Sequence, residues 1–472
     1  VLLRPLGDVV VLMPPLTTTA GEVDRLVDVL VEALDEVVAA DEAMAADEAM
    51  AAGQVATGQV AAGQVAAGQV AAGQVAAGQV AAGQVATGQV AVSGGLPAGQ
   101  SWAKMVDQRC RETAAAGRWR QPRSFDAQGL RGRIDGHEQM VVSFAGNDYL
   151  GLSGHPAVVA AARDAIARWG TGSGASRLVT GSRPIHHQLE SALAQWKGTE
   201  QAVVLPTGFA ANLAVLTTFG DATVRICSDE RNHASIVDGA RLARAEVVVY
   251  RHGDVDHLRQ LMAGSHGPVL VVTDTVFSMD GDEAPLAAIA DCCRHFGALL
   301  VLDEAHGVLS PDPAPLLGDV ACLRVGTLSK TLGSLGGFVA GPRRFMELLV
   351  NHARSYIFTT APSPPDMAAA LAALDVVRSA EGDRLRSVLA GYVERLRPGQ
   401  RAPIVPIMLG DEDVAVAASD ELLRQGFWVP AIRPPTVAPG TSRLRVTLSA
   451  GHRADEVDQL AEALDRVAGG GQ

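Results

Sequence analysis

Aromatic side chains make up only 4% of this 472-residue chain. Burial must therefore rest on Val, Leu and Ala. Cysteine is sparse too: Cys110, Cys227, Cys292, Cys293 and Cys322 are odd in number and include no CxxC pair. That pattern argues against a disulfide framework and a thiolate zinc centre, so no metal is expected and a reducing, cytoplasmic setting is. No apolar run reaches the roughly 18–20 residues needed to cross a bilayer. The opening VLLRPLGDVVVLMPPL is interrupted by Arg4 and Asp8 and lacks a small-residue cleavage site after it, which argues against a signal peptide. Basic residues are outnumbered, 39 Lys+Arg to 52 Asp+Glu, for a net charge of −13. Neither nucleic acid nor a membrane is an expected partner.

What is present divides unevenly. Residues 1–100 hold eleven acids and two arginines, so −9 of the −13 sits in the front end and the remainder is nearly balanced. DEAMAA occurs twice from Asp41, and AAGQV or ATGQV then repeats eight times over 51–90. Valines five residues apart fall about 140° apart around a helix and on alternate faces of a strand, so neither geometry buries one side. A low-complexity spacer over 41–99 is expected, in preference to an assembling array. Upstream, Val23, Leu26, Val27, Leu30 and Leu34 predict a helix over 22–38, with Thr18 or Thr19 as N-cap. A strand, turn and helix of this size are too small to fold alone. The chain begins at Val1, not Met, which suits a start codon read literally or a piece of something longer.

From residue 101 the pattern becomes short β runs alternating with amphipathic helices. Strands are predicted at 202–205, 224–228, 246–250, 269–273, 298–303 and 323–326, with helices at 209–218, 236–243, 255–262 and 286–296. Near-continuous apolar strands alternating with helices indicate an α/β fold whose mainly parallel sheet is covered on both faces. Beyond Pro362, helices at 367–380 and 385–396, a strand pair and a helix at 455–467 predict a smaller α+β domain. The expected divisions are a front remnant (1–40), the spacer (41–99), an entry segment (100–150), a large domain (151–355) and a small one (356–472).

Open parallel sheets bind ligands at the carboxyl ends of their strands. Five such ends carry polar chemistry here. They are Asp303-Glu304-Ala305-His306, Thr327-Leu328-Ser329-Lys330, Pro206-Thr207-Gly208-Phe209, Ser278-Met279-Asp280 and Asn232-His233. Taken singly, Lys330 reads as a solvated loop lysine, Asp303 as a cap, and His233 or His306 as a structural histidine. Together they supply a Schiff-base amine, an anion for a ring nitrogen, a partner for a ring oxygen and a phosphate cup.

GNDYLGLSGHP, GTGSGASRLVTGSRPIHHQLE, LPTGFAAN, NHASIVDG, TDTVFSMDGDEAPL, LVLDEAHG and GTLSKTLGSLGG resemble the motifs of the α-oxoamine synthases, in the family's order, over about 101–468. These are homodimeric fold-type I pyridoxal-phosphate enzymes that condense an amino acid with an acyl thioester. The stretch AIRPPTVAPGTSRLRVTLSA at 431–450 is most similar to the biotin-pathway branch, whose substrates are L-alanine and a pimeloyl thioester. The resemblance implies a large domain built on a mainly parallel, seven-stranded type of sheet. It implies that Lys330 holds the cofactor and removes the Cα proton, and that Asp303 pairs with the ring nitrogen. His306 and Ser278 would then bond the phenolic oxygen, and His233 would stack on the ring. Gly208, Phe209 and Thr327 would hold the phosphate, joined by Thr360 (or Thr359) of a second copy. Arg445, assisted by Asn147, would bind the amino-acid carboxylate.

Two departures stand out. Val308-Leu309-Ser310-Pro311 replaces a longer glycine-rich loop, and the segment after Thr360 differs by one residue. Arg118, Arg120 and Arg123 are candidates for the distal pimeloyl carboxylate, or simply an arginine-rich helix end. The first 38 residues resemble the carboxyl tail of the 7,8-diaminopelargonic acid aminotransferases, with Arg4 at that family's carboxylate-binding position. Rival expectations are a sibling activity such as glycine C-acetyltransferase, an aminotransferase, and a repeat scaffold without catalysis.

Overall fold

The computed structural model describes residues 2–6, 9–13, 25, 28–29, 31–33 and 102–469. They fall into two compact units, Val1–Gln121 and Pro122–Gln472. In the first, β1 (Leu2–Leu6) and β2 (Val9–Met13) pair antiparallel, so the single strand expected there is a pair. Residues 25, 28–29 and 31–33 are helical, in step with the predicted helix, and Trp102–Ala115 forms another. The expected spacer and the N-cap threonines lie outside the described residues.

The second unit opens with β3 (Phe125–Gln128), β4 (Arg131–Ile134) and β5 (Val141–Ser143). Seven strands then build the main sheet: β6 (Gln201–Leu205), β7 (Arg225–Asp229), β8 (Glu246–Tyr250), β9 (Val269–Asp274), β10 (Leu299–Asp303), β11 (Cys322–Thr327) and β12 (Gly337–Gly341). Their order is β6-β12-β11-β10-β9-β7-β8. All run parallel except β12, which is antiparallel to both neighbours. The apolar run of β9, VLVVTD, is buried at all six positions, as a strand covered on both faces must be. The sequence pattern missed β12, because its lead-in Gly336-Gly337 reads as loop. A Cβ on Gly337 would lie 2.4 Å from the Thr207 carbonyl oxygen, so only glycine lets this strand close against the end of β6.

Past the sheet, the predicted helices appear as Pro364–Val377 and Ala380–Leu396. The expected strand pair is a three-stranded sheet of β13 (Ile404–Gly410), β15 (Ala431–Ile432) and β16 (Ser442–Thr447). Between them, β14 (Phe427–Trp428) pairs parallel with β5, so residues before and after the main sheet share a four-stranded sheet. Ala454–Gly469 is the closing helix. Phe144, Leu152, Leu374, Leu444 and Leu460 belong to one continuous core, in which each buried leucine contributes roughly 1.5–3 kcal/mol. All five cysteines are free and four are buried. Burial pushes the Cys227 thiol up to about 12, which makes it inert. Among the described residues no helix is long and apolar enough to cross a membrane.

Candidate active site

Because β6, β7, β9, β10 and β11 are parallel, their carboxyl ends share one edge. β10 ends on Asp303, which is buried. Its Oδ2 accepts a hydrogen bond from Asn212 Nδ2 (2.7 Å) and its Oδ1 one from the Ala305 amide (2.9 Å). Three residues on, His306 is 4% exposed, and its Nε2 lies 2.8 Å from Lys330 Nζ, in the turn after β11. That turn is held by Thr327, whose Oγ1 accepts the Ser329 amide and lies 2.7 Å from Ser329 Oγ. At the end of β7, His233 starts the helix Ala234–Leu242 and caps it with Nδ1, which accepts the Ser235 amide. Its ring stays exposed, leaving a face open to a flat ligand.

Opposite the strand ends, Arg445 reaches across from β16. Its Nε donates to the Ser278 carbonyl oxygen (2.6 Å), one terminal nitrogen to Thr447 Oγ1 (2.8 Å) and the other to Asn147 Oδ1 (3.2 Å). Ser278 therefore meets this cluster through its backbone. At the phosphate corner, Thr207 Oγ1 accepts the Ala210 amide and starts the helix Gly208–Phe219. A Cβ on Gly208 would sit 3.2 Å from Thr327 Cβ, so these two residues adjoin and glycine keeps the corner open. Phe209 is 42% exposed, and Thr360 is exposed as well.

Electrostatics here follow from burial. Desolvation pulls the Lys330 ammonium below the usual lysine range, against the opposing pull of Asp303 and Asp274. Burial, then the charges of Lys330 and Arg445, push His306 well below the usual histidine value, so its ring is neutral.

Residues 139–464 match the family model for aminotransferases of class I and II. The 8-amino-7-oxononanoate synthase of Anaeromyxobacter dehalogenans is 47% identical over 373 residues, covering 73% of this chain and 93% of that protein. Its counterpart from Geobacter sulfurreducens is 44% identical, covering 72% and 92%. The chain belongs to the 8-amino-7-oxononanoate synthase family. Among solved structures, the serine palmitoyltransferase of Sphingomonas wittichii superposes with a TM-score of 0.71 at 30% identity, covering 77% of this chain and 97% of that one. The 8-amino-7-oxononanoate synthase of Francisella tularensis does so at 0.58 and 26%, covering 69% and 97%. The fold is that of the fold-type I pyridoxal-phosphate transferases.

The residues present fit the cofactor this family uses. Asp303 is a buried carboxyl group with neutral hydrogen-bond donors, Lys330 an amine that among the described residues is seen bonded to the His306 imidazole, and Gly208 a corner that a side chain would fill. Sequence reasoning overlooked several supports of this site. Asn212 orients Asp303 and also donates to Ser235 Oγ (2.9 Å), while its own Oδ1 has no partner. An asparagine between apolar residues in the middle of a helix was the available signal. Asp274, in register beside Asp303, accepts the His233 amide at 2.8 Å. Burial, then Asp303, raise its carboxyl well above the usual range. Behind the site, Glu304 binds Lys197 (2.5 Å) and Arg324 (2.9 Å), and Arg324 also binds Asp312. Breaking such a buried network by removing one partner costs about 3–5 kcal/mol. Tyr149, inside the motif GNDYLGLSGHP, contacts His306.

Proposed function

We propose that this chain condenses L-alanine with a pimeloyl thioester, releasing CO2 and the thiol carrier and giving 8-amino-7-oxononanoate, with pyridoxal phosphate attached to Lys330. The carrying observation is the Lys330 amine, 2.8 Å from a buried neutral imidazole and beside the strand that ends on Asp303. Bound there, the cofactor supplies an electron sink for the pair left at the amino-acid Cα.

The chain's own residues do the rest. Asp303, held by Asn212, keeps the ring nitrogen protonated. His306 and Ser278 serve the phenolic oxygen, and His233 lies against the ring face. Arg445 and Asn147 bind the carboxylate, a task suited to the planar guanidinium. That grip orients the Cα–H bond towards Lys330 Nζ. With its pKa lowered, Lys330 is a free base at lower pH than an exposed lysine and takes the proton. Gly208 and Phe209 offer helix N-terminal amides to the phosphate, with Thr327 beside them. The exposure of Thr360 supports its serving the site of a second copy, so a cytoplasmic homodimer is part of this proposal. Of the arginines named for the distal carboxylate, Arg123, which is exposed, lies in the same unit as Lys330 and remains the candidate. Residues 1–40 are read as a fusion remnant and 41–99 as a spacer.

Borohydride reduction of the loaded protein, followed by peptide mapping, should place the adduct on Lys330. Turnover should require alanine and pimeloyl-CoA and survive deletion of residues 1–100. An adduct on another lysine, or preference for glycine with acetyl-CoA or serine with palmitoyl-CoA, would overturn the reading.

A further inference from the structure

Tyr149 is fully buried, and its Oη stands 2.5 Å from Nδ1 of His306 and 3.2 Å from Asn147 Oδ1. The positive charge of Arg445 acts on this hydroxyl, opposing the effect of burial. Each ring nitrogen of His306 thus faces one partner, Nδ1 facing Tyr149 and Nε2 facing Lys330. A neutral imidazole carries one N–H, so the neighbours decide which nitrogen holds it.

The phenol of Tyr149 has one proton to donate and two acceptors within reach. One candidate acceptor, Asn147 Oδ1, lies at 3.2 Å and already accepts from Arg445. The other, His306 Nδ1, is nearer, at 2.5 Å, which favours it as the acceptor. Burial raises the phenol's pKa, so it stays a neutral donor.

We propose that Tyr149 is a positioning residue that holds His306 as the Nε2–H tautomer, donating its own proton to Nδ1 so that Nε2–H faces the un-ionised amine of Lys330. The inference deepens the function proposed above, because it rests on His306 serving the phenolic oxygen and Arg445 the carboxylate. An oxygen bearing negative charge needs a donor at Nε2, and Tyr149 supplies the constraint that keeps one there.

The deciding measurement needs no cofactor. In the cofactor-free chain with 15N-labelled histidine, at an alkaline pH that leaves the Lys330 amine un-ionised, the His306 signals, assigned by their loss in His306→Gln, should report protonated Nε2 and bare Nδ1. In Tyr149→Phe they should shift to a mixture of tautomers. With cofactor bound, Tyr149→Phe should raise the pH midpoint of the cofactor's visible band by about half a unit or more, since the phenolic oxygen loses a committed donor. Protonated Nδ1 in the unaltered chain overturns the proposal, and that result stands even if Tyr149→Phe does not fold. An unchanged tautomer in Tyr149→Phe, or an unmoved midpoint, overturns it as well. Failure of the condensation assay alone would refute the function proposed above and leave the tautomer result intact.

Discussion

At the ring wall, Asp303, His306 and Arg445 are each 4–5% exposed and hydrogen-bonded within the chain. At the phosphate corner, Phe209 is 42% exposed and Thr360 lies open. In the proposed reaction the wall would act on charge as it develops, which groups fixed beforehand can do without reorganising. The corner would have only to hold an anion, for which a helix start suffices, and in the proposed dimer a second copy would complete its exposed side. The proposal thus concentrates preorganisation where electrons would move.

The sharpest way to break this contrast is Asp303→Ala. It should lower kcat by roughly 10²–10³-fold, measured at saturating substrates and cofactor, because the ring nitrogen loses its only buried anion on β10. A loss no greater than that of Thr360→Ala would erase the distinction. Next in size is the acid response of the wall's support. His452 is buried, stacks on Phe144 at 4.0 Å and donates from Nε2 to the Ser143 carbonyl oxygen. Burial lowers it from 6.5 to about 4. Folded His452 therefore stays neutral where the unfolded chain takes a proton. Its stabilising effect is complete above about pH 6.5 and is lost as pH falls towards 4, by up to about 3 kcal/mol. Urea midpoints should fall more steeply between pH 7.5 and 4.5 in the unaltered chain than in His452→Gln. Equal slopes would disconnect burial from acid sensitivity. The smallest effect belongs to the corner: Thr360→Ala should weaken cofactor affinity about 5–10-fold, one hydrogen bond's worth, with kcat at saturation nearly unchanged. Fluorescence titration with pyridoxal phosphate measures it, and an unaltered affinity would place Thr360 outside the site.

Much of the fold and the site is legible in the residue pattern. Strand β8 and the helix Leu286–Phe296 coincide with their predicted limits, since an apolar run or a 3.6-residue period is a local signal. Asp303, His306 and Lys330 stand out by their places at strand ends, and the motifs around them name the family. Two-residue β14 has no period to read, and glycine-led β12 looks like loop, so both escape. Asp274 and Asn212 escape for another reason: each matters through a neighbour distant in sequence, and composition carries no record of that pairing.

Residue order alone determined the alternation of strands and helices, the excess acid of the front end and the set of groups able to do imine chemistry. Those depend on local patterning and on side-chain type. Only the tertiary structure decided that Tyr149 joins the cluster of Arg445 and Asn147, and that it faces the nitrogen of His306 opposite Lys330. Such contacts join residues about 150 to 300 positions apart, and they exist because folding stacks separate strand ends, each specified locally, around one buried amine.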